Sequence, residues 1–249
     1  FPCRAEKDGR QYAPWKMLSE ADKPALNAWL AEQPLVLANQ DLRIVHAAWL
    51  PESLATLEAA VGEDLIAQYR RYDDELVHAL QTASWYGDYL REQERHAEAL
   101  ENADMPPPPM PATAQYELAR SRLHPIRALT SGAEVIAPAP FYAGGRWRYT
   151  ARSAWWQNHH DTPAVLIGHY WRHWYPRDAD PTRENLMPPQ NNAWHGAAHN
   201  VFCIDYSVGA RWRDRKAGIA PARSEFRLAA MRWPERVLVF DDGEVAATV

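Results

Sequence analysis

Residues 164–172 read Ala164-Val-Leu-Ile-Gly-His-Tyr-Trp-Arg172, and the fold turns on them. Four apolar residues in a row, two of them β-branched, suit a strand covered on both faces better than a helix. Such a strand needs packing layers on either side, and in sheets of that kind ligands gather at the strands' carboxyl ends. The run stops at Gly168, whose missing side chain lets the backbone and the imidazole of His169 approach a ligand closely. A second short strand, Leu42 to Ala47, carries His46 at its end in His46-Ala-Ala-Trp49. It follows the apolar Pro34–Ala38 across Asn39-Gln40-Asp41, which is a hairpin signal. Each histidine has a plainer reading as a hydrogen-bonded core residue.

Working outward, Ser19 with Asp22 resembles a capping box that opens a helix through Leu26, Trp29 and Leu30 until Pro34. Pro51 suits a first helical position, with Leu54, Leu57 and Val61 following at helical spacing. Residues 63 to 101 read as helical almost throughout, with Leu65, Tyr69, Tyr72, Leu76 and Leu80 as the apolar stripe. Met105-Pro-Pro-Pro-Pro-Met-Pro111 favours an extended spacer, so it divides a first part (1–104) from a strand-rich second part (112–249). After a helix at Gln115–Leu123, Arg146 to Arg152 alternates, with Trp147 and Tyr149 opposite Arg146, Arg148 and Arg152. Residues 176 to 199 form a long loop. Strands at Val201–Tyr206, Arg227–Trp233 and Arg236–Phe240 close the chain, the last two joined by Pro234-Glu235. The class is α+β.

Composition excludes several functions. At 249 residues, the chain is long enough to bury a full core in one or two domains. No stretch approaches the roughly 18 apolar residues of a spanning helix, and the first residues lack the pattern of an export signal. A net charge of -5 argues against a broad grip on a nucleic-acid polymer. Two cysteines, Cys3 and Cys203, do not make a disulfide framework and fit a reduced, cytoplasmic setting. The 12 tryptophans are unusual, since large rings fill cores but also line ligand clefts.

Three groupings could carry chemistry. His195 and His199, four apart, could share a helix face and bind zinc, although no glutamate adjoins His195 and Gly196 weakens a helix. Cys203 could be a thiol nucleophile, although its place in an apolar strand favours a buried inert thiol. The arginine face of 146–152, followed by Trp155-Trp156, could grip phosphate and stack a ring, or could be a solvated face beside core tryptophans.

Taken together, Asp41–Trp49, Ala143–Arg148 with Arg152–Trp156, Ala164–Arg172, Asn200–Val208 and Arg227–Trp233 resemble, in order, the later blocks of bacterial calcineurin-like metallophosphoesterases. The resemblance spans about residues 34 to 240. It implies a two-sheet β-sandwich flanked by helices (αββα) with a helical insertion, and two divalent ions such as manganese or iron at the strand ends. It also implies hydrolysis of a phosphoester or phosphoanhydride by hydroxide generated there, on a phosphorylated small molecule, dinucleotide or phosphoprotein. His46 matches the metal-binding His of the family's Val-His-Ala block, His169 that of its Gly-His block, and Asp205 a supporting residue of its Ile-Asp block. Arg148 and Arg152 become candidate phosphate contacts, with Trp155, Trp156 and Tyr170 lining the substrate.

The early family motifs Gly-Asp-x-His-Gly, Gly-Asp-x-x-Asp-Arg-Gly and Gly-Asn-His-Glu do not occur in this sequence, and Phe1 would fall just after the last of them. A two-metal site needs both ions held roughly 3.5–4 Å apart by bridging and terminal ligands, which two imidazoles do not provide. The expectation is therefore one incomplete domain: the carboxyl-terminal part of a phosphoesterase, inactive alone, with a free sheet edge and an apolar face. A preceding segment or a separate chain would supply the missing ligands. Two alternatives stand: a non-catalytic binding module with an aromatic and arginine-lined cleft, and a cysteine hydrolase using Cys203.

Overall fold

Strand β5 (Ala164–Ile167) lies at the centre of the molecule with all four side chains buried. In the computed structural model, which describes residues 18–60, 64–175, 186–187 and 190–249, it pairs in parallel with β2 (Leu42–Val45) and β6 (Val201–Cys203). Strand β1 (Val36–Ala38) adds antiparallel to β2, giving the order β1-β2-β5-β6. The turn between β1 and β2 is held by the Asn39 side chain, which accepts from the backbone N–H groups of Asp41 and Leu42.

Because side chains alternate along a strand, the sheet buries two different sets. Val45, Val165, Ile167, Val201 and Cys203 pack with Leu129, Trp155, Trp156 and Tyr170. Leu54 and Leu57 of α2 (Pro51–Glu58) and Leu129 of α7 (Pro125–Ser131) bring helices to that face. Ala164, Leu166 and Phe202 point the other way, onto Leu238 and Phe240. Those two belong to a second, antiparallel sheet of β7 (Ala229–Arg232), β8 (Val237–Phe240) and β9 (Val245–Ala247). The central sheet is thus packed between helices and a second sheet.

Everything between β2 and β5 is one long excursion. After α2 come α3 (Leu65–Thr82), α4 (Tyr86–Arg95), α5 (Ala97–Glu101), α6 (Pro111–Arg122), α7, and the hairpin of β3 (Glu134–Ala143) and β4 (Arg146–Arg152). The helix expected over 63–101 is broken where Ala83 turns extended, at ψ 140°, and again at His96. Of the expected stripe, Tyr72, Leu76 and Leu80 are buried, while Tyr69 lies at the surface against His124 and Arg127. The proline run is not a free spacer. Met110 is buried with Leu100, Ala114 and Tyr149, and the Tyr149 hydroxyl donates to the Pro108 carbonyl.

The start of α6 is capped from α4: the Glu92 carboxylate accepts from the backbone N–H groups of Ala112 and Thr113 and from the Thr113 hydroxyl. Removing it leaves helix-terminal donors unsatisfied in a part-buried place. Glu92→Ala should therefore cost about 1–2 kcal/mol, read as a lower urea midpoint. An unchanged midpoint would show that water caps the helix equally well.

Among the described residues β1 is the outermost strand on its side of the central sheet, and Leu37 and its cross-strand partner Ile44 are both exposed. Helix α1 (Lys23–Ala31) buries none of its residues, so Leu26, Trp29 and Leu30 remain at the surface. Cys3, Val61 and most of the stretch 176–189 lie outside the described residues. No helix among the described residues is long and apolar enough to cross a membrane.

Candidate functional site

Three parallel strands deliver their carboxyl ends side by side. His46 directly follows β2, Gly168-His169 follows β5, and Asp205 lies two residues beyond β6. The Gly168 N–H donates to the His46 carbonyl at 2.9 Å, which extends the ladder by one bond. A Cβ at Gly168 would lie 3.5 Å from that carbonyl oxygen and 3.8 Å from the Asp205 Cβ, so a side chain here would reach both neighbouring strand ends at ordinary contact distance. The His46 and His169 rings consequently meet edge to face, 5.6 Å between centroids.

The loop after β5 is sharply bent, with left-handed backbone at His169 (φ 67°) and Trp171 (φ 55°). Non-glycine residues there cost roughly 1–2 kcal/mol each, so the surroundings must hold them. Burial, then the charges of Arg152 and His46, push the His169 imidazole down to about 4, against a hydrogen bond to the Ser131 backbone. At neutral pH the ring is uncharged and keeps a lone pair for an electrophile or a donor.

Arg152 ends β4 with its guanidinium 5.7 Å from the Tyr170 ring, beside His169. Arg148 is not brought to the histidines. It pairs with Phe141 near the hairpin turn, with its guanidinium by Gly144, and four residues of strand put it roughly 13 Å from Arg152. The two arginines share a face, as alternation requires, but not a place.

Trp155 and Trp156 are core residues beneath the site rather than an approach to it, because both rings are almost wholly buried. The Trp155 indole N–H donates to the Ala47 carbonyl next to His46. Trp156 packs edge-on against Tyr170 and His195, at 5.0 and 4.9 Å. Tyr170 is buried with them, and its ring lies 5.7 Å from that of His169. These three side chains floor the site.

His195 and His199 do not form a helical pair. His195 makes an antiparallel bridge to Val201, and left-handed Gly196 (φ 90°) and His199 (φ 50°) carry the chain through turns. Burial, with Arg172 adding to it, pushes His195 down to about 3. Cys203 is fully buried, and burial drives its thiol up to about 11, so it is no nucleophile at neutral pH.

One residue not singled out in the sequence is Arg172, only 5% exposed. Its guanidinium donates to the carbonyls of Cys203 (3.1 Å) and Gln190 (2.9 Å) and lies over the rings of Phe202 and Tyr206. Its backbone N–H donates to the Asp205 carbonyl at 2.8 Å, and its carbonyl accepts from the Ser207 hydroxyl at 2.7 Å. The signal in the sequence was a single cation inside the aromatic run His169 to Tyr175.

Among the described residues, no three His, Cys, Asp or Glu side chains gather as a metal-binding group. The adjacent imidazoles of His46 and His169 fit part of the ligand set of one divalent ion, the latter being uncharged at neutral pH. The Asp205 carboxylate accepts instead from the Ser207 N–H. Compared with known proteins, the chain matches no protein-family model, no curated protein and no solved structure.

Proposed function

We propose that this chain is the carboxyl-terminal portion of a metal-dependent phosphoester or phosphoanhydride hydrolase of the calcineurin-like kind. The observation that carries the reading is the meeting of His46 and His169, distant in sequence, at the ends of neighbouring parallel strands. The two packed sheets and the helices on the outer face of the first fit the αββα sandwich of that family. Further metal ligands come, on this reading, from polypeptide beyond this chain.

His46 and His169 would hold a divalent ion such as manganese or iron. When bound, such ions supply Lewis-acid charge and an activated water. The chain's own residues then have separate tasks. Burial keeps His169 unprotonated. Arg152 offers fixed N–H donors to phosphoryl oxygens as negative charge builds on them. Asp205 and the buried Trp155, Trp156 and Tyr170 keep the two strand ends in place. The substrate is a phosphorylated small molecule, a dinucleotide or a phosphoprotein.

A second reading, a binding module without hydrolysis, draws on the exposed Arg152 beside uncharged His169. The two separate on one assay: manganese-dependent hydrolysis of p-nitrophenyl phosphate by this chain alone and when joined to a segment bearing the three early motifs. The 249-residue chain alone should be inactive and the joined form active. In the active form, Arg152→Ala should lower kcat by roughly 10²-fold with metal content unchanged, and His169→Ala should lower both. Robust hydrolysis by the 249-residue chain, or normal metal content in His169→Ala, would overturn the proposed reading.

A further inference from the structure

We infer that Arg172 is the positioning residue of this site: its buried guanidinium ties the loop that carries His169 to the end of β6 and to Gln190, and its backbone joins the loop that carries Asp205. Naming the place a ligand site rests on the reading above; the tie itself does not. The ladder between β5 and β6 ends at the bond from the Ile204 N–H to the Ile167 carbonyl. Beyond it the two loops have to be joined by other means. Arg172 takes over there, binding the Asp205 carbonyl through its backbone and the Cys203 carbonyl through its side chain. The Ser207 hydroxyl closes the link from the other loop, and the bond to Gln190 adds the segment that leads into β6.

The residue type matters. A planar guanidinium presents several donors in a fixed fork and can span two carbonyls at once, whereas an ammonium is a point charge on a flexible stem. Among the described residues no carboxylate pairs with Arg172; carbonyl dipoles and the faces of Phe202 and Tyr206 surround it. The constraint is therefore one of geometry. It acts on a loop whose left-handed residues, His169 and Trp171, need an outside restraint.

The test uses histidine-labelled chain and ring NMR signals, with no hydrolysis assay, so it can fail independently of the phosphoesterase reading. In Arg172→Met, which keeps apolar length but no donors, the His169 signal should move by several line widths or split. Ser207→Ala should move it less. His124, buried in the helical excursion, should stay in place in both. Arg172→Lys, which keeps the charge but not the fork, should displace His169 as well, and with Ser207→Ala it decides the matter where Arg172→Met fails to fold. An unmoved His169 in the folded variants would overturn the assignment. So would equal movement of His169 and His124, which marks a general stability role.

Discussion

Between pH 6.5 and pH 4 this chain should lose several kcal/mol of stability, and buried histidines are the cause. Burial lowers the pKa values of His124 and His159, takes His169 to about 4 and takes His195 to about 3. In the unfolded chain an imidazole takes up its proton near pH 6.5, while in the fold these rings resist it, so protonation favours unfolding. The sign follows: stability is intact above about pH 6.5 and declines as pH falls toward the lower folded-state values. Each unit of difference is worth about 1.4 kcal/mol, which makes His195 the largest single contributor. Asp161 and Asp241 act in a separate window. Their hydrogen bonds to Arg43 and Arg211 hold them below the usual carboxylate range, so what they add is lost only below about pH 4. Urea midpoints measured across this range should fall steadily below pH 6.5, and His195→Leu should flatten part of the slope, leaving the share of the other lowered histidines. A midpoint constant down to pH 4.5 would contradict the account.

Trp156→Ala should cost about 3–5 kcal/mol and lower the Tm by roughly 10 °C. The ring is 2% exposed and fills the space between Trp155, Tyr170 and His195. Removing it leaves a void directly under the residue that follows His169, in a core that relaxes only partly. Trp156 also borders a cleft of about 360 Å³ formed with Gln157, Met187 and His195. A loss under about 1 kcal/mol would mean that the ring belongs to the wall of that cleft, and it would restore the substrate-lining role read from the sequence.

Local patterns were legible where the physics is local. The unbroken run at Ala164–Ile167, the turn residues Asn39-Gln40-Asp41 and the alternation of Arg146–Arg152 each appear as the strand or turn they suggest. Strand β3 was not legible, because Pro138 and Pro140 interrupt it and its register shifts between Ile136 and Phe141. Helices α7 and α8 (Arg211–Lys216) and strand β9 are too short for periodicity to register. At the site, Gly168-His169 stood out because a glycine at a strand end has few uses. The partition of Arg148 from Arg152, and of Trp155-Trp156 from the surface, depends on which elements pack against β4 and β5. Alternation says which side chains share a face and nothing about what covers it.

The two histidines sit on strands that are neighbours in space and separated by the whole helical excursion. Arg43 and Asp161, which join the same region in an ion pair, are 118 residues apart. Closing so long a loop carries an entropic cost that the local contacts of the helices do not share, so the helices and the β3–β4 hairpin should form early and the β2–β5 pairing late. The histidine pair then exists only once the chain has finished folding. A ligand that needs both rings would bind the completed molecule alone and, by mass action, would draw the last step of folding toward completion.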